Sequence, residues 1–396
     1  MKVLSGGLEN VPGYTYSAVR CGIRYPDRLD YALIAADSDC NAAGVFTKNR
    51  VTAAPVKWSR KNIGNPVRAI LVNATNANAC TGDPGYENTE LLTADIAKRL
   101  GVPASAVLMA STGIIGHQLP VEKMLGSHAE LTDSLSPDMG PLVPEAIMTT
   151  DTVQKKICVS FDTGIGEFRI AGTAKGAGMI APDMATLLSF IVTDAPLRRD
   201  DLDSLFRKSV SRSFNAITID GDMSTNDTAI ILCPSRENPL QEESDIAAFT
   251  EALDHVLMRL AEMLVLDAEG ATRMVKVMVK GARSNEDAAS IARSIAESLL
   301  VKTAIFGNDP NWGRVACAAG YSGADIDESL LSVYYGDIPL LLNGKPQPYE
   351  NSALSSVLSQ QIYTITLDAG IGSGTWMIMT SDISHEYVRI NAEYST

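Results

Sequence analysis

Hydrophobic positions recur along this chain with two different spacings. Short apolar runs rich in β-branched residues, at 31–36, 67–74, 107–110, 186–193, 272–279 and 363–367, predict strands. Elsewhere the spacing lengthens to three and four. Leu92, Ile96 and Leu100 share one face, with Gly101 placed to end the helix, and Leu202, Leu205, Phe206 and Val210 repeat the pattern. Ile246, Phe249, Leu253, Leu257, Leu260 and Leu264 form the longest helical stripe. Ser284 with Asp287 reads as a capping box opening a helix that turns Ile291, Ile295 and Leu299 inward. Asn343-Gly344, between 339–342 and a later polar run, is a hairpin signal. Mixed strands and helices of this kind predict an α+β class with layered sheets. The periodicity leaves the topology open.

Composition narrows the picture. A chain of 396 residues implies two or three domains, and 45% hydrophobic residues suit a globular protein. The formal charge of −14 argues against a nucleic-acid surface, which needs clustered Lys and Arg. Six cysteines (Cys21, Cys40, Cys80, Cys158, Cys233, Cys317) are scattered without a CxxC pair, so free thiols are expected, not disulfides or a zinc site. The four histidines stand far apart, and nothing points to a metal. The N-terminus has no apolar core of the signal-peptide kind. The uncharged stretch 101–121 is broken by Pro, Gly and hydroxyl residues, so no membrane helix is expected there. A cytoplasmic protein is therefore expected.

The chemistry concentrates in 175–190, KGAGMIAPDMATLLSF, where two glycines and a proline form an irregular loop that runs into a β-branched strand. An arbitrary Gly-rich loop of this sort is usually a turn into a core strand. It is not a phosphate loop, because Lys175 precedes the glycines. A hydroxyl at Thr186, held by such a loop, is placed to attack the carbonyl of Ala185 and cut the chain. The freed threonine would carry its own α-amino group, whose ordinary pKa of about 8 suits a general base at neutral pH. Spacing alone does not raise this reading above the turn.

The segment closely resembles the signature of the ornithine acetyltransferase (glutamate N-acetyltransferase) family of arginine biosynthesis. Further matches run in order along the whole chain: GVFTKNRVTAAPV (44–56), NATNANACTG (73–82), STGIIG (111–116), MTTDT (148–152), DGDMSTND (220–227), DAEGATR (267–273), FGNDPNWGRV (306–315) and INAEYST (390–396). Two positions depart from the commonest form: Ala177 stands where Ser is frequent, and Asp183 where Asn is frequent.

The resemblance implies self-cleavage between Ala185 and Thr186, giving pieces 1–185 and 186–396, with Thr186 as the acyl-carrying nucleophile. It assigns Thr112 and Gly113 to an oxyanion hole, and Thr152, Lys175, Thr186, Glu269, Asn391 and Thr396 to substrate contacts. Lys175 would take the α-carboxylate, and Glu269 the amine end. The implied reaction moves acetyl from N-acetylornithine to glutamate by double displacement without metal or organic cofactor, and some members of the family also take acetyl from acetyl-CoA. It further implies a layered αββα fold shared with self-cleaving aminopeptidases, with the two fragments remaining together as a heterotetramer. The terminal stretch 387–391 is expected to be an ordered strand. NDPNW (308–312) reads as structural and GIGSG (370–374) as a turn. Two other readings stay open: a paralogous acyltransferase of specialised metabolism, and a self-cleaving amidase or aminopeptidase.

Overall fold

A computed structural model describes residues 1–181 and 187–393. Ala185, Thr186 and Thr396 lie outside the described residues. Among those described, nine strands form one mixed sheet: β1 (Lys2–Leu4), β2 (Tyr14–Val19), β3 (Tyr31–Phe46), β4 (Val67–Asn73), β5 (Val107–Ser111), β6 (Lys155–Thr163), β7 (Gly166–Lys175), β8 (Leu188–Thr193) and β10 (Thr228–Pro234). A second sheet holds β9 (Ile217–Thr218), β11 (Met274–Ala282), β12 (Ser332–Tyr335), β13 (Ile338–Leu342), β14 (Lys345–Pro346), β15 (Ile362–Asp368) and β16 (Gly374–Ser381).

In the first sheet the order runs β1-β6-β7-β8-β10-β3-β4-β5, with β2 paired to β3. The strands β8 and β10, which follow the expected cleavage point, are therefore enclosed by β7 and β3, which precede it. β8 pairs antiparallel with β7 and parallel with β10.

Both faces of β8 are covered, which is why its sequence is almost continuously apolar. Phe190 and Val192 face a core with Tyr16, Ile34, Ile230 and Leu232, whereas Ile191 faces Phe206, Leu257 and Leu260. The last two lie on the helix Glu243–Leu266, whose predicted stripe from Phe249 to Leu264 is buried against the sheet. Each such leucine contributes about 1.5–3 kcal/mol by leaving water. On the second sheet Val275, Val277, Val279, Ile365 and Leu367 pack against Ile291 and Ile295 of the helix Asn285–Glu297. Two mixed sheets with helices on their faces make the layered α+β arrangement that was expected.

Local signals were obeyed where one backbone conformation is demanded. Gly101 closes the helix Gly82–Leu100 at φ 70, in the left-handed region. Ser284 Oγ accepts from Asp287 N–H at 3.1 Å. Asn343 and Gly344, at φ 47 and 70, make the turn between β13 and β14.

The expected strand at 387–391 is instead part of a helix, His385–Glu393. Two features favour the helix. Ser384 Oγ accepts from Glu386 N–H and Tyr387 N–H (3.1 and 3.2 Å), and Arg389 bridges Glu386 and Glu393, three residues back and four ahead. Among the described residues no helix is long and apolar enough to cross a membrane, and all six cysteines are free.

Candidate active site

Lys175 ends β7 and Leu188 opens β8, and the two pair directly. The Gly-rich segment therefore leaves and re-enters the sheet at neighbouring positions, and a cavity of about 90 Å³ lies beside its base. Thr112, Gly113, Lys175, Glu269 and Asn391 all line this cavity. They come from the ends of β5 and β7, the turn at Glu269 and the C-terminal helix, up to 279 residues apart in the chain (112 to 391).

Thr112 and Gly113 follow β5. The Thr112 N–H is spent on the Asn73 carbonyl at 3.0 Å, so this residue has its hydroxyl to offer. That hydroxyl accepts from Lys175 Nζ at 3.3 Å, which leaves its own hydrogen free to donate. The Gly113 N–H has no partner among the described residues. Gly113 sits at φ 133, and a Cβ there would lie 2.1 Å from the carbonyl carbon of Thr75. Glycine is required on both counts. A hydroxyl and an unspent N–H side by side are the donors an oxyanion needs.

Lys175 is only 4% exposed. Burial pushes its pKa below the ordinary lysine value, and Asp151 opposes that shift. With one N–H turned to Thr112, two have no acceptor among the described residues and can serve a ligand. Asp151 is itself fully engaged: it accepts from Lys155 Nζ (2.6 Å), Gly176 N–H (2.7 Å) and Thr149 N–H (3.1 Å). Burial alone would raise its carboxyl, but Lys175 and Lys155 pull it down to about 2.

Glu269 lies in the turn after the helix Glu243–Leu266, tied by its N–H to the Ala177 carbonyl at 2.8 Å. Its Oε2 accepts from Asn391 Nδ2 at 2.9 Å. A Cβ on Gly178 would meet that same oxygen at 2.5 Å, so the glycine lets the carboxylate close against the loop.

Thr152 is placed differently. It lies outside the cavity lining, and its hydroxyl and N–H both donate to Asp267, which also pairs with Lys155 Nζ at 2.5 Å. Thr149 and Thr150 of the same segment line the cavity instead, as do Ser224, Thr225 and Asn226. Sequence reasoning assigned those five no role. The signal was present as hydroxyl-bearing runs, MTT just after the helix Leu142–Ile147 and STN just ahead of β10. Asn226 Nδ2 bridges the Ala77 and Ser111 carbonyls (2.6 and 2.8 Å), which fixes the strand end that carries Thr112. Burial pushes the neighbouring Asp227 carboxyl well above its ordinary value. No cluster of three or more His, Cys, Asp or Glu among the described residues is arranged to hold a metal.

Comparison of the whole chain with known proteins gives its family. The ArgJ family matches residues 15–396. The arginine biosynthesis bifunctional protein of Geobacter sulfurreducens is 45% identical over 392 residues, covering 98% of this chain and 100% of its relative. That of Chlorobaculum tepidum is 43% identical over 386 residues, with coverage of 96% and 95%. A crystal structure of the arginine biosynthesis bifunctional protein from Bacillus halodurans superimposes with a TM-score of 0.50 at 36% identity, over 52% of this chain and 98% of that one. The chain belongs to the ArgJ family of arginine biosynthesis.

Proposed function

We propose that this protein transfers acetyl from N-acetylornithine to glutamate through Thr186, after cutting its own chain between Ala185 and Thr186. The observation that carries the reading is one cavity with three complementary walls: the hydroxyl of Thr112 beside the N–H of Gly113, which has no partner among the described residues, the buried ammonium of Lys175, and the Glu269 carboxylate held by Asn391. An N-acetylated amino acid with an ammonium side chain has an acyl oxygen, an α-carboxylate and a cation to match them.

In the first step the Thr186 hydroxyl attacks the Ala185 carbonyl, and water then releases the resulting ester. The new α-amino group takes the hydroxyl proton as Thr186 attacks the acetyl carbonyl. Negative charge on that oxygen is met by Thr112 and Gly113, each donor worth about 3 kcal/mol. The proton passes to the leaving amine, ornithine departs, and acetyl-Thr186 remains. Glutamate's amine then attacks the ester, giving N-acetylglutamate. Lys175 anchors the α-carboxylate in both halves. Every step is nucleophilic or acid–base, and none is written with a metal or organic cofactor.

The fragments are proposed to stay together, as α and β chains of a heterotetramer, because β8 and β10 lie inside a sheet whose other strands precede the cut. Six free thiols support a reducing, cytoplasmic setting.

The test is direct. Purified protein should run as pieces of 185 and 211 residues on denaturing electrophoresis, and should move labelled acetyl from N-acetylornithine to glutamate. Thr186→Ala should remain one chain and be inactive. Cleavage at the same bond in that variant would overturn the assignment. Acetyl-CoA in place of N-acetylornithine shows whether the same threonine accepts from a thioester.

A further inference from the structure

The proposed reaction contains an electrostatic conflict. The donor's side chain ends in an ammonium and the acceptor's in a carboxylate, yet both present an α-carboxylate to Lys175. Glu269 suits the donor and repels the acceptor. A cation for the acceptor's far end must lie elsewhere, within reach of the same cavity.

A second cavity of about 340 Å³, walled by Tyr25, Arg28, Thr75 and Thr149, answers that requirement. Thr149 lines both cavities. Thr75 joins them a second way, since its backbone lies directly behind Gly113. Thr75 also carries two marks of a working site. It is a β-branched residue at φ 73, which costs strain, and its buried hydroxyl has no hydrogen-bond partner among the described residues. At 4% exposure, a hydroxyl without a partner among the described residues, on a residue that lines a cavity, is a donor in want of an acceptor.

Arg28 is half-buried at this wall, and its Nη2 donates to the Met148 carbonyl at 2.5 Å, just ahead of Thr149. Its remaining donors have no acceptor among the described residues. Asp30 feels the Arg28 charge but makes no ion pair with it among the described residues. Asp30 spends both oxygens on the N–H groups of Cys21 (2.8 Å) and Ile23 (2.6 Å), which pins the loop that carries Arg28. Arg24 is occupied with the Tyr25 ring, 5.3 Å from its centre.

We infer that this second cavity receives the side-chain carboxylate of the acceptor amino acid, with Arg28 as its charge partner and Thr75 Oγ1 as an added donor. This rests on the acetyl-transfer reading, and it makes Arg28 a determinant of acceptor specificity with no part in the donor half-reaction.

The two half-reactions separate the claims. Exchange of labelled ornithine into N-acetylornithine, without glutamate, reports on the reading itself. Transfer to glutamate against transfer to glutamine reports on Arg28. In Arg28→Gln, ornithine exchange should stay within about twofold, while kcat/KM for glutamate falls roughly tenfold or more and the preference over glutamine collapses. Arg28→Lys should keep most of that preference. Thr75→Val, which removes only the unpaired hydroxyl, should lose glutamate affinity severalfold and leave exchange intact. An unchanged glutamate-to-glutamine ratio in Arg28→Gln, or equal losses in both half-reactions, would overturn the inference. If the wild type shows no exchange, the transfer reading fails. Calorimetric binding of glutamate to wild type and Arg28→Gln then decides the subsite by itself: weaker binding to the variant supports it, and equal binding overturns it.

Discussion

Two buried lysines stand at the same end of one sheet and are treated in opposite ways. Lys155 opens β6 and is shared by two carboxylates, Asp151 and Asp267, at 2.6 and 2.5 Å. Lys175 ends the adjacent strand β7, with only the Thr112 hydroxyl for a bonded partner among the described residues. Lys155 is 1% exposed and Lys175 is 4% exposed, so burial does not distinguish them. The difference is whether the charge has been matched inside the protein. A matched buried charge serves the fold, and an unmatched one is available to a ligand.

The sharpest break in that comparison is Lys155→Met. It strands two carboxylates in the interior, and unfolding by urea should show a loss of about 3–5 kcal/mol. The acid limb should move too. The Asp151 carboxyl, held at about 2, contributes stability that is full above its unfolded pKa near ~3.9 and is lost as pH falls through about 2. Without Lys155 part of that depression disappears, so acid unfolding should begin at higher pH.

Lys175→Met should do the reverse. No protein carboxylate is in contact with it among the described residues, so the loss of stability should be well below that of Lys155→Met: relief of a buried charge offsets the lost contact with Thr112 and the lost attraction that helps to hold Asp151 low. Activity is where the loss appears. Removing the proposed anchor of an α-carboxylate forfeits about 2–5 kcal/mol, roughly 30-fold or more in kcat/KM for N-acetylornithine and for glutamate. If this variant unfolds as readily as Lys155→Met, the contrast between the two lysines is wrong.

Lys302 offers a third treatment, in the second layer. Its amine is fully buried and donates to Thr380 Oγ1 (2.7 Å) and the Ser381 carbonyl (2.5 Å). Two acceptors match the two hydrogens of a neutral amine, and burial pushes its pKa down to about 7. The folded protein thus releases this proton at lower pH than the unfolded chain, whose lysines titrate near ~10.4. The resulting stability is full above that unfolded value and is lost as pH falls toward about 7. Wild type should therefore gain about 2 kcal/mol over Lys302→Met between pH 7 and pH 9 in paired denaturation curves. Parallel curves would mean the amine is charged throughout.

These distinctions mark how far the sequence could be read. The helix stripes, the Gly101 stop and the Asn343-Gly344 turn were legible because each is a local pattern with one physical solution. β6 and β7 were not. KKICVSFDT and GEFRIAGTAK mix charged, small and apolar residues without clean alternation, since each strand carries site residues at one end and core residues in the middle. The positions of Lys175, Glu269 and Asn391 came from motif resemblance, while the contact of Lys155 with Asp267 spans 112 residues, which no local pattern encodes. The same limit explains the C-terminal helix. Arg389 with Glu386 and Glu393 is a helical spacing, yet the expectation of a pinned terminus had favoured a strand.

That helix supplies the mildest test. No residue of His385–Glu393 is buried, and it is held by polar links: Ser384 Oγ to the Gly270 carbonyl at 2.6 Å, Tyr387 OH to Asp220 at 3.2 Å, and Asn391 Nδ2 to Glu269 at 2.9 Å. Asp220 also accepts from the Met179 and Ile180 N–H groups, so the helix is tied to the Gly-rich loop as well as to Glu269. Asn391→Ala removes one hydrogen bond to a carboxylate without opening a core, so stability and cleavage should be unchanged. Glu269 would lose the amide that orients it, at a cost of about 1 kcal/mol, and the KM for N-acetylornithine should rise roughly fivefold with little change in kcat. Because Glu269 faces only the donor's ammonium in this scheme, the KM for glutamate should not rise with it. An equal rise for both substrates would mean that Asn391 holds the cavity's shape, and that the division of labour between Glu269 and the second cavity does not exist.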